Sequence, residues 1–162
     1  MGDPREDSMT EVILREYRAG DWEAMYALDL ECFEPAFRFS SRAMRRFAEA
    51  NGALAVVAVS QGKIVGFCIV QMEEQVGYVV TLDVAAAWRR QGLARRLMAE
   101  VEARVRAAGG VHMALHVYTK NSGALRFYEG IGYSRLGMEE GFYGGGLDAL
   151  VYGKRLQDQA YA

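Results

Sequence analysis

Arg89-Arg90-Gln91-Gly92-Leu93-Ala94 puts a glycine and an alanine at the mouth of a helix, with Arg95 and Arg96 following and no acid among them. A helix start offers amides without acceptors and the positive end of the helix dipole, which together suit a phosphate. Small residues at 92 and 94 keep side chains out of its way, and the arginines deepen the local potential. Neither G-x-x-x-x-G-K-[ST] nor G-x-G-x-x-G occurs, so the ligand expected is a diphosphate rather than a nucleoside triphosphate or a nicotinamide cofactor. Downstream, Asn121 stands at a helix start and Tyr128 follows two turns later, about 10 Å along the axis on the same face. One can hold the middle of a long ligand while the other reaches its far end. His116 offers an imidazole, the one side chain whose unperturbed pKa sits near neutrality. Alternation along HMALHVY sets His112, Ala114, His116 and Tyr118 on one face and Met113, Leu115 and Val117 on the apolar other. His112, just after two glycines, reads as a surface residue.

These groups need elements to hold them. VILREY (12–17) reads as a short strand, and DWEAMYALDLECF (21–33) has the apolar spacing of a helix that Pro35 breaks. Ser40 or Ser41 can cap a second helix, RAMRRFAEA, which stops at Asn51-Gly52. ALAVVAVS and KIVGFCIVQM flank Gln61-Gly62 as a hairpin, and VGYVVTLDV (76–84) follows as a third strand. From Leu93 the apolar residues Leu97, Val101 and Val105 recur every four positions until Gly109-Gly110 ends the helix. HMALHVY is a strand, NSGALRFYEGI a helix, and YSRLGM and ALVYGK two closing strands. The order β-αα-βββ-α-β-α-ββ combines antiparallel hairpins with one β-α-β crossover, so the class is α+β with a mixed sheet.

The 162 residues suit one compact domain, and 51% hydrophobic composition supplies a core. A net charge of −2 gives no global reason to expect nucleic acid. Cys32 and Cys68 are isolated, with no metal-ligand spacing, and read as buried reduced thiols of a cytoplasmic protein. No apolar run approaches the roughly 20 residues of a membrane span. MGDPREDS reads as a polar, disordered leader over 1–9, with Met9 an alternative start, followed by a domain over 10–157 and a tail over 158–162.

Taken together, TLDVAAAWRRQGLA and NSGALRFYEGIGY resemble the two cofactor motifs of the GNAT superfamily of acetyl-CoA-dependent N-acetyltransferases, and the resemblance runs from about Val12 to Leu156. It implies a single domain with a mixed, mostly antiparallel sheet of about seven strands flanked by four helices. Acetyl-CoA would be the cosubstrate, with no metal. Arg89, Arg90, Gln91, Gly92, Leu93 and Ala94 would cradle its pyrophosphate, Leu82 and Val84 would pair with the pantetheine arm, and Asn121 would bond it. Tyr128 would protonate the leaving thiolate.

In related bacterial enzymes acetylating the N-terminal alanine of a ribosomal protein, a glutamate stands five residues before the asparagine. Here that residue is His116. LHVYTKN instead resembles a eukaryotic branch of N-terminal acetyltransferases in which this histidine pairs with a tyrosine in a YxxTL context. The sequence YVVTL sets Tyr78 on that position, and the two could hold a water that takes the amine's proton. Phe142-Tyr143 match an aromatic pair of the peptide site, although its first member lacks the usual hydroxyl. Gly144 to Gly146 would let that loop move. Phe33, Pro35 and Phe37 would shape an apolar pocket, Glu34 would meet the ammonium, and Val80 joins this acceptor group. The acceptor implied is a protein or peptide N-terminus, served by a monomer or homodimer without membrane or nucleic acid. A small amine is the alternative substrate, and a non-catalytic acyl-CoA-binding module the third possibility.

Overall fold

The structure, a computed structural model, describes residues 11–157; the leader expected over 1–9 and the tail over 158–162 lie outside the described residues. Its elements follow the anticipated order: β1 (Ile13–Glu16), α1 (Asp21–Cys32), α2 (Ser41–Glu49), β2 (Ala53–Ser60), β3 (Lys63–Glu73), β4 (Val76–Val84), α3 (Leu93–Ala107), β5 (His112–Tyr118), α4 (Ser122–Gly130), β6 (Ser134–Glu139) and β7 (Ala149–Arg155). Two short 3₁₀ turns, Pro35–Phe37 and Ala86–Trp88, fall where open loop was read. Ser40 is the cap of α2, its hydroxyl accepting the Ala43 N–H at 3.1 Å.

The strands form one sheet in the order β1-β2-β3-β4-β5-β7-β6, antiparallel throughout except for the β4–β5 pair. Both faces are covered, so the central strands read as unbroken apolar runs. Val56, Ala58, Cys68 and Val70 face α3 and its Leu97, Val101 and Val105. Ala55, Val57, Phe67 and Ile69 face Met25 and Leu28 of α1 and Met44 of α2. Helix α3 lies so close to the sheet that a Cβ on Gly77 would come within 2.6 Å of Val105.

Two irregularities create the site. The β3–β4 register shifts between Ile69 and Val70, leaving Val80 as an extra residue on β4. Such a bulge bends its strand. The parallel pairing of β4 with β5 then ends at Val79–Leu115, although both strands continue. Beyond that point β4 keeps β3 on one side, β5 keeps β7 on the other, and a gap opens between them.

Candidate active site

The gap holds a cavity of about 190 Å³. Its walls include Val80 and Leu82 from β4, His116 and Tyr118 from β5, and Asn121 and Tyr128 from α4. Three groups that the chain separates by up to 48 positions in sequence order, from Val80 to Tyr128, thus meet in one slot.

β4, whose Leu82 lines the cavity, runs on to Val84 and the turn into α3. Gly92 caps the helix with φ +84°, a left-handed conformation that glycine adopts without strain, and among the described residues nothing lies within 4 Å of where its Cβ would be. Helical bonding begins with the Arg96 N–H donating to the Gly92 carbonyl at 3.0 Å. The amides of Leu93, Ala94 and Arg95 therefore have no intrahelical acceptor, as an anion site requires. The arginines are not equivalent. Arg89 Nε donates to the Val84 carbonyl at 3.0 Å, and Arg96 reaches the Val12 carbonyl at 3.4 Å. Gln91 braces the turn by donating to the Ala87 carbonyl at 2.9 Å. A short loop has carbonyls to satisfy, and Arg89 and Arg96 satisfy two of them. The Val84 carbonyl also accepts from the Cys32 thiol at 3.4 Å, so its oxygen is already engaged. Cys32 is half-buried rather than fully buried because it sits at the end of α1 beside this loop; Cys68 is fully buried.

Along the slot, Asn121 caps α4 with its side-chain oxygen, accepting the Ala124 N–H at 3.1 Å. That leaves its amide N–H₂ to donate elsewhere. Tyr128, 9% exposed, contributes to the wall, and burial above all raises its pKa well beyond the ordinary tyrosine value. A phenol in that state stays protonated and can donate to a developing anion.

The Tyr78 hydroxyl and His116 Nδ1 share a hydrogen bond of 2.6 Å. Burial first, then the nearby Tyr143, Glu139 and Glu73, pushes Tyr78 up to about 12. Phe142 stacks on the imidazole with ring centroids 3.8 Å apart and planes within 1°. Phe37 touches both Tyr118 (5.0 Å) and Tyr143 (4.9 Å), so the turn after α1 meets the β6–β7 loop over the cavity. That loop needs glycine: Gly144, Gly145 and Gly146 all have positive φ. Burial pushes Tyr143 up to about 12 as well.

Residues 22–133 match the sequence profile of the acetyltransferase (GNAT) family. The chain belongs to that family. Among relatives, it is 31% identical over 102 residues to the N-terminal acetyltransferase A complex catalytic subunit ard1 of Schizosaccharomyces pombe, covering 58% of each chain. It is 28% identical over 152 residues to the corresponding NAA10 subunit of Arabidopsis thaliana, covering 90% of this chain and 79% of that one. It therefore spans little more than half the length of the first of these relatives and about four-fifths of the second. The fold superposes on the ribosomal-protein-S18-alanine N-acetyltransferase of Escherichia coli with a TM-score of 0.81 at 20% identity, covering 92% and 97% of the two chains. An aminoglycoside 6′-N-acetyltransferase solved with coenzyme A gives 0.76 at 17% identity, covering 91% and 98%.

Within this GNAT domain the predicted site residues fall into two groups, with Val84 and residues 89–94 at the turn into α3 outside the cavity lining and the others mostly gathered around it. Phe33, Phe37, Val80, Leu82, His116, Asn121, Tyr128 and Tyr143 line the one cavity, with Tyr78 and Phe142 against His116. Glu34 and Pro35 do not join them. Both are exposed on the outer side of the turn, because the 3₁₀ geometry directs Phe37 inward instead. Phe39 and Tyr118 were missed as wall residues. Tyr118 was readable, since it alternates with His116; Phe39 depends on how the loop folds back.

Beneath the cavity floor lies a second missed feature. Asp29 of α1 and Asp83 of β4 are fully buried, and each has one carboxylate oxygen without a hydrogen-bond partner among the described residues. The other oxygens are engaged: Asp83 accepts from Thr81 and Asp29 accepts the Phe39 N–H at 2.9 Å. Burial and the hydrogen bond to Asp29 raise the Asp83 pKa well above the usual carboxylate range. One proton shared between the two acids would satisfy both orphan oxygens.

Proposed function

We propose that the chain transfers an acetyl group from acetyl-CoA to the α-amine of a protein or peptide N-terminus. The observation that carries this reading is the single slot between the parted strands, with Asn121 and Tyr128 on one wall and His116, bonded to Tyr78, on the other. Free amides of α3 fit a diphosphate, and the unpaired edge of β4 beyond Val79 fits an extended arm that adds to it like a strand. The Leu82 backbone would contribute there. From Val84 the contribution would be its N–H, since Arg89 and Cys32 occupy its carbonyl.

An incoming α-ammonium, with a pKa of about 8, gives up a proton through a water to the Tyr78–His116 pair. The neutral amine attacks the thioester carbonyl, the new C–N bond forms, the C–S bond breaks, and the nitrogen's surplus proton leaves through the same water to solvent. Tyr128 donates its proton to the departing sulfur and recovers one from solvent. The likeness to N-terminal acetyltransferase subunits supports the α-amine over other acceptors. Phe33, Phe37, Tyr118 and Tyr143 supply an apolar, aromatic surface for the first side chain.

A small amine is the second reading, favoured by the modest cavity and by the contact of Phe37 with Tyr143 across its mouth. The test measures thiol release from acetyl-CoA with short peptides of different first residues and with polyamines, amino acids and aminoglycosides. Turnover with peptides supports the proposal. Turnover confined to small amines overturns it in favour of the second reading, and tight acetyl-CoA binding without any turnover points to a binding module.

A further inference from the structure

His116 has one ring nitrogen whose partner the proposed reaction does not explain. Its Nδ1 meets Tyr78, and Phe142 covers one face of the ring. Among the described residues its Nε2 is buried without an aligned hydrogen bond, and Glu139 Oε1 lies 3.3 Å away. Glu139 ends β6, at the sheet edge beyond β7, and its side chain is 57% exposed, so it reaches His116 from the solvent side.

Two tautomers of neutral His116 are possible, and they treat this surrounding differently. With the proton on Nδ1, that nitrogen donates to Tyr78, and the Nε2 lone pair faces the oxygen of a carboxylate in a spot closed to water. With the proton on Nε2, an N–H faces the carboxylate and the Nδ1 lone pair accepts the Tyr78 O–H. Only the second arrangement avoids opposing lone pairs, and a small rotation of the exposed Glu139 brings it into line. It also leaves the Tyr78 oxygen free to accept a proton from the acceptor side.

We propose that Glu139 is a positioning residue that fixes His116 as its Nε2–H tautomer and completes a Tyr78–His116–Glu139 relay running from the acceptor amine to solvent. This rests on the acetyl-transfer reading for its role in turnover, but the tautomer itself does not. In the relay a proton moves from the amine's water to the Tyr78 oxygen while the Tyr78 proton moves to Nδ1. The imidazolium so formed has both N–H groups engaged, one by Tyr78 and one by the Glu139 carboxylate, so the charge created is countered where it arises. The Nε2 proton leaves for solvent by way of the exposed Glu139 carboxylate, and once the product has gone a proton retaken at Nε2 from that carboxylate, as the Nδ1 proton passes back through Tyr78 to water in the slot, restores the starting tautomer.

The experiment uses the full chain labelled with ¹⁵N-histidine. Nitrogen NMR of His116, assigned against His116→Ala, should give the Nε2–H pattern in the wild type. Glu139→Gln keeps an acceptor oxygen and should keep that pattern, while kcat falls about threefold because no negative charge then counters the imidazolium. Glu139→Leu should lose it, and kcat on the best acceptor should fall about tenfold, the low end for a charge-assisted hydrogen bond, with the KM for acetyl-CoA within twofold. Because Glu139 is exposed on an edge strand, its loss leaves the core untouched, and an unchanged melting temperature checks this. An Nδ1–H pattern in the wild type, or a Glu139→Leu variant that keeps the Nε2–H pattern or full turnover, overturns the proposal. An Nε2–H pattern that depends on Glu139 in a protein that acetylates no amine would instead leave the assignment standing and remove the function it serves.

Discussion

The shared proton between Asp29 and Asp83 predicts an unusual pH dependence of stability. Asp83 is 1% exposed, and its folded pKa lies well above the ordinary value because burial and Asp29 both oppose its charge. In the unfolded chain the same carboxyl loses its proton near pH 3.9. Below that value both states hold the proton and the site contributes its full stability. Above it the unfolded state has released a proton that the native state still binds, so the site's contribution falls as pH rises, until the folded pKa is passed. One proton held in this way corresponds to a slope of about −1.4 kcal/mol per pH unit. Asp83→Asn removes the titration but keeps the geometry: the amide oxygen accepts from Thr81, and the amide N–H₂ donates to the orphan oxygen of Asp29. Between the unfolded value and the folded pKa of Asp83 the variant should therefore gain on the wild type by about 1.4 kcal/mol per pH unit, with the gap in melting temperature widening by roughly 3–6 °C per unit, and the gap should stop widening once the folded pKa is passed. Urea unfolding at pH 5, 6, 7 and 8 measures the slope directly, provided the m-values agree. Parallel stability curves for the two proteins, or an Asn variant that loses ground as pH rises, would show that no proton is trapped there.

The proposed reaction carries its own tests. Gly92→Glu puts a negative side chain at a left-handed position beside the α3 amides and should abolish acetyl-CoA binding by calorimetry, whereas Gly92→Asn, which tolerates that backbone, should bind measurably; equal affinity for both would remove the anion site from this turn. His116→Ala should lower kcat by about 10²-fold or more while acetyl-CoA affinity stays within twofold, and a variant with the wild-type pH–rate profile would show that another group is the base. Tyr128→Phe should slow the single-turnover rate at least tenfold, since it removes the one buried phenol on the α4 wall; an unchanged rate would assign the leaving-group proton to solvent.

The parts of this protein that could be read in advance are those written in short-range chemistry. Alternation on β5 put His116 and Tyr118 on one face and periodicity on α3 set where its helix begins, while it was the resemblance of YVVTL to the family's YxxTL context that implied the pairing of Tyr78 with a histidine 38 residues away. All of these depend on neighbours within a few residues or on pairing between adjacent strands. What escaped depends on loop paths and on strands distant in sequence. Nothing local distinguishes Asp29 in ALDLECF from a surface acid of an amphipathic helix, and its burial becomes legible only once β4 is known to bulge at Val80 and turn Asp83 toward α1. Glu139 is similar: in GMEEGF it reads as one of two solvated edge-strand acids, and only the β5-β7-β6 order carries it to His116 while Glu140 stays outside. Both missed features are carboxylates next to residues that were found. That is physically reasonable, because a carboxylate announces itself by the proton or donor it meets, and that partner is supplied by the fold.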